Sequence, residues 1–394
     1  MSDNKNEQAI ARITESIATL KDKNFNIFFF VVDSRNVPNS SLAYIYELAK
    51  TLKDKNYNVT MLYQLQGEYT EAELYKKKKK GKQIDPSKVF IGVREWLGDE
   101  YADLPHMNIA HSQWKVSPSD ILFIPEAFSS LMFQTYQHKA PCRRIVLLQN
   151  FSYVTDFIPF GIEWKNYGIY DVVATTKKQE ELIKSVFPYV RCKILPPVVS
   201  DMFRTPIEPK KLLVNVIASD QRIVNRIIKT FYWKYPIYKF VSFVDLRNHS
   251  REEYANKLKE GAITVWVDND TQFGHSAVEA IACDNVLIGK IPDMIPEWMT
   301  NEDGTLNDSG VWTYDINNIP DILANVIGAW MQDSIPEELT NAMEVVKQSY
   351  TEDKWISNVE TTITSIVDEQ IKCFEQIKSS IEKNITEEQE GEAK

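Results

Sequence analysis

Apolar positions along the chain fall into short unbroken runs, separated by stretches with helical periodicity. The runs are rich in β-branched and aromatic residues and lack strict alternation, which is typical of strands buried on both faces of a parallel sheet. They cover residues 27–32, 59–63, 121–124, 145–148, 172–174, 193–195, 212–217, 240–244, 263–267 and 286–288. Between the first two runs, Leu42, Ile45, Leu48 and Leu52 share one helical face. Because strand, helix and strand form a right-handed βαβ unit, the pattern predicts doubly wound α/β sheets.

A proline-rich passage divides the chain. Four prolines between positions 195 and 209 disfavour a helix or a central strand, and a fresh strand run begins at 212. With 394 residues the chain is long enough for two cores. We therefore predict two Rossmann-like domains that face a cleft, at 1–200 and 210–338. Helical periodicity then predicts C-terminal helices over 339–384, followed by an acidic flexible tail at 385–394.

Composition limits the cellular setting. No apolar run reaches the roughly 18–20 residues that span a bilayer, and the N-terminus lacks the basic and apolar segments of a signal peptide. The four cysteines are scattered, which is typical of reduced thiols and not of a disulfide framework or a zinc site. We expect a cytoplasmic protein. Its net charge of −10 disfavours nucleic-acid binding by the surface as a whole.

The segment 261–289 carries the most specific chemistry. A buried run, a polar turn with Gly274, a helix from about Ala277 and another buried run follow one another. A glycine at a strand-to-helix turn leaves the helix N-terminal amides open to a phosphate or diphosphate. Glu279, inside that helix, is placed to reach a pair of ribose hydroxyls. The turn also contains Asp268 and Asp270, a spacing found in divalent-metal sites, but a polar turn at the strand end is the favoured interpretation.

This segment resembles the donor-binding signature of retaining GT-B glycosyltransferases, chiefly family 4. The signature reads Glu-Gly-Phe-Gly, four residues, then Glu-Ala-Met-Ala, and the chain has Thr-Gln-Phe-Gly at 271–274 and Glu-Ala-Ile-Ala at 279–282. The resemblance implies that Glu279 holds the ribose and that Gly274 and the next amides face the diphosphate. It implies a donor site of Phe273, Gly274, His275, Ser276 and Glu279. Thr271 stands where the family has a glutamate beside the donor sugar.

Two readings of the helix start stay open. Ser276 and Glu279 have the spacing of a capping box, in which Glu279 only satisfies the helix end. The neighbouring Phe-Gly and Glu-Ala-x-Ala residues favour the functional reading. His275 is either a phosphate donor or a solvated turn residue.

The resemblance also implies cations after the first strand of the second domain, where they neutralise the departing diphosphate. Arg222 and Arg226, one helical turn apart, match this position together with a less suitable Lys229. A solvated helix face remains an alternative for them. With Thr271, they form the expected catalytic set. The resemblance further implies retention at the anomeric carbon, a nucleotide-diphosphate sugar as donor, and no obligatory metal or other cofactor.

A run of lysines interrupts the acidic sequence. It consists of Lys76, Lys77, Lys78, Lys79, Lys80 and Lys82. Such a loop is either solvated or a docking element for an anionic membrane or another polyanion, at about 1 kcal/mol per charge near a lipid surface. The membrane is favoured over the polyanion, which implies peripheral contact with the inner face of the membrane.

These observations together predict a glycosyltransferase that modifies a glycan or a lipid-linked acceptor. Two alternatives stay open. One is a phage-type enzyme that glycosylates modified DNA bases, which would use the lysine run to hold DNA. The other is a catalytically silent GT-B partner subunit, which would account for Thr271.

Overall fold

A computed structural model describes residues 2–110, 114–205, 207–247 and 249–392. It contains two α/β domains, each built on one parallel sheet, as the sequence predicts. The first sheet has the order β3-β2-β1-β4-β5-β6-β7 and the second the order β12-β11-β10-β8-β9. The first sheet comprises β1 (Asn26–Phe30), β2 (Asn58–Tyr63), β3 (His106–Asn108), β4 (Ile121–Pro125), β5 (Arg143–Leu148), β6 (Asp171–Ala174) and β7 (Arg191–Ile194). The second comprises β8 (Lys211–Ala218), β9 (Ser242–Asp245), β10 (Gly261–Val267), β11 (Val286–Lys290) and β12 (Val311–Thr313).

Helices cover both faces of each sheet. Those before and within the first sheet are α1 (Ser2–Lys21), α2 (Ser40–Asp54), α3 (Glu71–Lys79), α4 (Asp99–Ala102), α5 (Ser129–Gln137), α6 (Phe151–Phe157) and α7 (Lys177–Val186). The remainder are α8 (Gln221–Lys234), α9 (Arg251–Glu260), α10 (His275–Ala282), α11 (Ile319–Met331), α12 (Glu337–Ser349) and α13 (Glu352–Glu392). The domain limits 1–200 and 210–338 stay predictions.

The central strands are buried throughout, which is why their sequences read as unbroken apolar runs. Every residue of β4 and of β10 is buried. One core lies on each face of the first sheet, around Phe29 and Phe123 on one side and Trp164 on the other. A third core surrounds Trp266 in the second sheet. These cores fix the strand ends that meet at the cleft.

Two short edge strands were not predicted, and several strand boundaries, among them that of β9, differ from the predicted ones by about two residues. β3 and β12 are three residues long, too short to produce a recognisable apolar run. The strand expected at 240–244 is β9, which begins two residues later. Its predicted first residue, Phe240, is 58% exposed and precedes the sheet.

The lysine run is helical over most of its length, so the prediction of a loop there is wrong. Thr70 accepts the Glu73 N–H at 3.3 Å, and the Glu73 carboxylate accepts the Thr70 N–H at 2.9 Å, which forms a capping box at the start of α3. Lys76–Lys79 occupy the last turn of this helix. Cations at a helix C-terminus are favoured by the helix dipole, so the run ends α3 without disrupting it.

The last helix returns to the first domain. The Trp355 indole N–H donates to Thr51 Oγ1 at 2.8 Å, and its ring packs edge-on against Tyr44. The Lys21 ammonium of α1 lies 3.7 Å from Glu375 of α13. α13 extends through Glu392, so the segment expected as a flexible tail is helical as far as the structure describes it. Lys and Glu four residues apart, as at Lys383 and Glu387, support a helix there.

Among the described residues, no helix combines the length and the apolar character that crossing a membrane requires.

Candidate active site

The cleft contains a cavity of about 460 Å³, here called the donor cavity. It lies where the second sheet reverses its strand order, between β8 and β10. Ser219 follows β8 and Asp268 follows β10, and both line the cavity. Open α/β sheets bind ligands at this kind of switch point, outside the carboxyl ends of the strands. The volume falls within the roughly 300–1,000 Å³ of small-molecule sites.

The turn before α10 forms part of the cavity wall. The Gly274 N–H donates to Thr271 Oγ1 at 2.8 Å, so Thr271 closes the turn that leads into the helix. Gly274 has φ 76°, and a Cβ there would lie about 3.1 Å from the buried Trp266 ring. Both the backbone angle and the lack of space require glycine. The turn therefore directs the first amides of α10 toward the cavity.

α10 begins at His275, two residues earlier than predicted, and its start has no side-chain cap. The capping box that the sequence left open between Ser276 and Glu279 is not formed. Glu279 is 5% exposed and lines the donor cavity instead. The helix N-terminus with its positive dipole end faces the same space, which suits an anionic ligand.

An arginine and a histidine accompany Glu279. Its Oε1 lies 3.7 Å from Arg251 Nη1 and 3.3 Å from His275 Nε2. Burial acts to raise the pKa of Glu279, but His275 and Arg251 outweigh it and lower the pKa below its usual range. Glu279 is therefore a carboxylate at neutral pH, able to accept hydrogen bonds from hydroxyl groups of a ligand.

Two buried polar atoms in this wall lack a hydrogen bond to any described residue. They are Tyr254 Oη and His275 Nε2, and Glu279 is the charged neighbour of both, without regular hydrogen-bond geometry. Buried polar atoms are almost always satisfied, so such atoms in a cavity wall point to a ligand or ordered water. This favours the reading of His275 as a group that meets a ligand.

The structure does not bring Arg222 and Arg226 to the cavity. The Arg222 side chain is 91% exposed and pairs with Asp220, two residues before it. Arg226 is exposed and bonded to Asn317. Both lie on the solvated face of α8, so the solvated alternative describes their position. The prediction assumed that the helix after the first strand turns these positions inward.

Arg247 and Arg251 line the donor cavity instead. Asp245 orients Arg247 through two hydrogen bonds of 3.0 and 2.6 Å. The Arg251 side chain is 13% exposed, and its guanidinium lies 5.4 Å from the centre of the Phe203 ring. Sequence reasoning missed both residues. A signal was present, since Arg247 comes two residues after β9 and the carboxyl end of that strand meets the cleft.

The first domain closes the donor cavity from the opposite side. Ser40 at the start of α2 and Trp96 line it. The Trp96 indole N–H donates to Ser34 Oγ at 3.0 Å, and its carbonyl accepts the Arg251 N–H at 2.9 Å. The Arg251 backbone is thereby held against the first domain.

A second cavity of about 210 Å³ adjoins the first, and we call it the acceptor cavity. Ser41, Tyr44, Gln149 and Tyr153 line it from the first domain. The second domain contributes residues of the 268–275 turn, among them Phe273 and Gly274. Phe273 itself is 8% exposed and accepts the Trp298 indole N–H at its carbonyl. Phe273 thus anchors the turn in the core.

Gln272 joins the two domains beside these cavities. Its Oε1 accepts the Phe151 N–H at 2.8 Å and the Gln179 side-chain amide at 2.9 Å. Its own amide donates to Asn150 Oδ1 at 2.9 Å. Since Gln272 follows Thr271 directly, these three bonds fix the glycine turn relative to the first domain.

Beneath this junction lies a buried acid, Glu126, at the carboxyl end of β4. It is 2% exposed, and its Oε1 accepts the N–H groups of Gln149 at 3.2 Å and Asn150 at 2.7 Å. Burial raises the pKa of Glu126 to about 7 despite these hydrogen bonds. Nothing in the sequence distinguished this glutamate from a surface residue.

In the part of the chain that the structure describes, no three His, Cys, Asp or Glu side chains converge as metal ligands do. Asp268 and Asp270 form a polar turn, in which the Asp270 N–H donates to Asp268 Oδ1 at 3.3 Å.

Comparison with solved structures identifies the architecture. Sucrose-phosphate synthase from Thermosynechococcus elongatus superposes with a TM-score of 0.55 at 12% identity, over 87% of this chain and 99% of that one. The pneumococcal O-GlcNAc transferase GtfA, in complex with UDP and GlcNAc, gives 0.57 at 9% identity, over 88% and 99%. The chain has the GT-B fold. HepE of Anabaena, in complex with UDP-glucose, gives 0.53 at 12% identity, over 86% and 99%.

The sequence matches no protein-family model and no curated protein. The GT-B assignment therefore rests on the two sheets and the cleft between them.

Proposed function

We propose that this GT-B protein is a glycosyltransferase that uses a nucleotide-diphosphate sugar as donor. The observation that carries the proposal is the donor cavity at the β8–β10 switch point, where Glu279, two arginines and an open helix N-terminus converge. A carboxylate beside a cationic wall suits a ligand with both ribose hydroxyls and a diphosphate. Two similar structures contain UDP or UDP-glucose, which supports a uridine nucleotide as the first ligand to test.

Each group receives one task in this proposal. Glu279 accepts hydrogen bonds from the ribose hydroxyls. The amides of His275 and Ser276 face the diphosphate, as the helix dipole favours. Arg247 and Arg251 take the place that the sequence gave to Arg222 and Arg226, and they balance the charge that grows on the departing diphosphate. The proposal includes no role for a metal or another cofactor.

The acceptor is proposed to enter through the acceptor cavity on the side of the first domain. Its hydroxyl oxygen forms a bond to the anomeric carbon as the bond from that carbon to the diphosphate oxygen breaks. The bonding electron pair leaves with the diphosphate, which takes the hydroxyl proton on the same face of the sugar. Transfer then proceeds with retention.

A glycan or lipid-linked acceptor fits the polar and aromatic lining of this cavity, which includes Tyr44, Gln149 and Tyr153. The lysine run on α3 is proposed to dock the protein on an anionic membrane surface. Its lysines are exposed or half-buried, and Lys77 lies 4.6 Å from the centre of the Tyr69 ring. The protein would then act at the cytoplasmic face of a membrane.

The test measures thermal stability with UDP-, GDP- and TDP-sugars. We expect stabilisation by at least one donor, and its loss in Glu279→Ala. Glu302→Ala, an exposed substitution in the same domain, is the matched control and should keep the shift. Failure of every donor to stabilise the wild-type protein would overturn the proposal. Donor binding with no release of nucleotide, with or without glycan and lipid acceptors, would instead support a silent partner subunit.

A further inference from the structure

The donor and acceptor cavities share part of their walls. The residues common to both are Ser40, Asp268, Thr271 and His275. Asp268 and Thr271 belong to the turn between β10 and α10, His275 is the first residue of α10, and Ser40 faces them from the first domain. The two cavities therefore meet at one place.

Under the proposed function, on which this inference rests, the donor sugar and the acceptor come together where the two cavities join. The nucleotide part of the donor lies beside Glu279 and the start of α10, in the donor cavity. The acceptor enters from the other cavity. Since the new bond joins donor sugar to acceptor, the anomeric carbon must lie where the cavities meet.

The four shared side chains differ in what they offer. The Thr271 hydroxyl already accepts the Gly274 N–H, so it maintains the turn. Ser40 carries a neutral hydroxyl at the start of α2. His275 Nε2 is buried 3.3 Å from Glu279 Oε1 without regular hydrogen-bond geometry, so it keeps a polar atom for a ligand at this point. Asp268 is the only one of the four that carries a carboxylate.

We infer that Asp268 is a catalytic residue whose carboxylate contacts the donor sugar at the junction of the two cavities. Asp268 provides a negative charge at this point, whereas the side chain of Thr271 is neutral. As the bond to the diphosphate breaks, positive charge grows at the anomeric carbon, and a carboxylate at this point stabilises it. The bond changes are those of the proposed transfer, so the proton still leaves with the diphosphate and Asp268 stays unmodified.

The local structure fits this role. Asp268 Oδ1 accepts the Asp270 N–H at 3.3 Å, which orients the carboxylate from its own turn. Burial, together with the nearby charge of Asp270, raises the pKa of Asp268. Contact with a hydroxylated or developing cationic sugar would compensate for this desolvation.

Isothermal titration calorimetry separates the sugar contact from nucleotide binding. The ligands are UDP and UDP-glucose, and the variants are Asp268→Asn, which keeps an oxygen for the Asp270 N–H, and Asp268→Glu. We expect Asp268→Asn to weaken UDP-glucose binding about tenfold while UDP binding stays the same, because a charged hydrogen bond to the sugar is lost. Asp268→Glu should recover part of the difference. Asp303→Asn, in an exposed turn outside both cavities, is the control.

The outcomes are distinct. An unchanged ratio of UDP to UDP-glucose affinity in Asp268→Asn overturns the inference, and so does an equal loss for both ligands, which would assign Asp268 to the turn alone. Wild-type protein that binds neither these ligands nor any GDP- or TDP-sugar overturns the proposed function itself. If another donor binds, the same comparison is made with that nucleotide and its sugar.

Discussion

Arg251 Nη1 lies 3.7 Å from Glu279 Oε1 in the wall of the donor cavity, and both side chains are largely buried. The two residues come from different helices, α9 and α10, and His275 lies on the other side of Glu279. The pair brings one positive and one negative group to a single ligand site.

Arg251→Ala should weaken UDP binding about tenfold or more, because a buried cation facing the diphosphate is removed. Arg251→Lys keeps the charge but not the planar donor geometry and should be intermediate. Arg222→Ala is the matched comparison, since the side chain of Arg222 is 91% exposed and pairs with its own Asp220. Calorimetry with UDP checks all three variants. An effect of Arg222→Ala as large as that of Arg251→Ala would restore the assignment made from the sequence.

The different positions of Arg251 and Arg222 show which features the sequence predicts and which it does not. The apolar runs predicted the sheet architecture because β4 and β10 are buried on both faces, and burial determines residue type. Gly274 and Glu279 were found because a strand, glycine turn and helix are contiguous in sequence. Arg251 was not found, because its contact with Glu279 depends on how α9 packs beside α10. The spacing of charges along one helix does not reveal this.

Gln272→Ala should lower the free energy of unfolding by about 2 kcal/mol, since the three hydrogen bonds across the domain junction are lost and the Phe151 N–H is left without its partner. Urea unfolding measures the change. Gln348→Ala, on an exposed face of α12, removes a side chain of the same type and should have little effect. Because Gln272 also orients the glycine turn, UDP affinity should fall in Gln272→Ala and not in the control. Equal stability of the two variants would contradict the role of Gln272 between the domains.

Glu126 should make stability depend on pH. Its pKa rises from an ordinary 4.5 to about 7 in the folded protein. Between these values the folded state keeps a proton that the unfolded chain has lost, so stability falls as pH rises. The contribution is complete below about pH 4.5 and lost above about pH 7, a change on the order of 3 kcal/mol.

Urea unfolding of wild type and Glu126→Gln at intervals from pH 5 to 8 tests this expectation. The glutamine keeps an oxygen for the Asn150 N–H but does not titrate. The stability difference between the two proteins should therefore change with pH, with the wild type losing its advantage at the alkaline end. Parallel curves would show that Glu126 does not titrate in this range.

Replacement of all six lysines at 76–80 and 82 by glutamine should abolish sedimentation with vesicles of phosphatidylglycerol and phosphatidylcholine. Each lysine near an anionic surface contributes about 1 kcal/mol, and salt should weaken the wild-type interaction. Thermal stabilisation by the nucleotide sugar should persist, because α3 does not line the donor cavity. Retention of the wild type on DNA but not on vesicles would favour the DNA-modifying alternative.

Trp355→Ala should destabilise the protein by about 3–5 kcal/mol, because a 3% exposed indole is removed from the core around Phe29 and Phe123, here the first core, and Thr51 Oγ1 loses its donor. Trp355→Phe should recover much of the packing but not the hydrogen bond. Thermal unfolding, followed by circular dichroism, distinguishes the two. A change as small as that of an exposed substitution would show that α13 is not part of the first core.

The return of α13 to the first domain means that the backbone crosses between the domains twice, once through 195–210 and again next to Tyr350. The crossings lie side by side, since the Val199 N–H and an Arg204 guanidinium N–H both donate to the Tyr350 carbonyl, at 3.0 and 2.8 Å. Two adjacent connections restrict the relative rotation of the domains more than a single linker would. They therefore favour the arrangement in which Gln272 bonds to Phe151 and Arg251 bonds to Trp96.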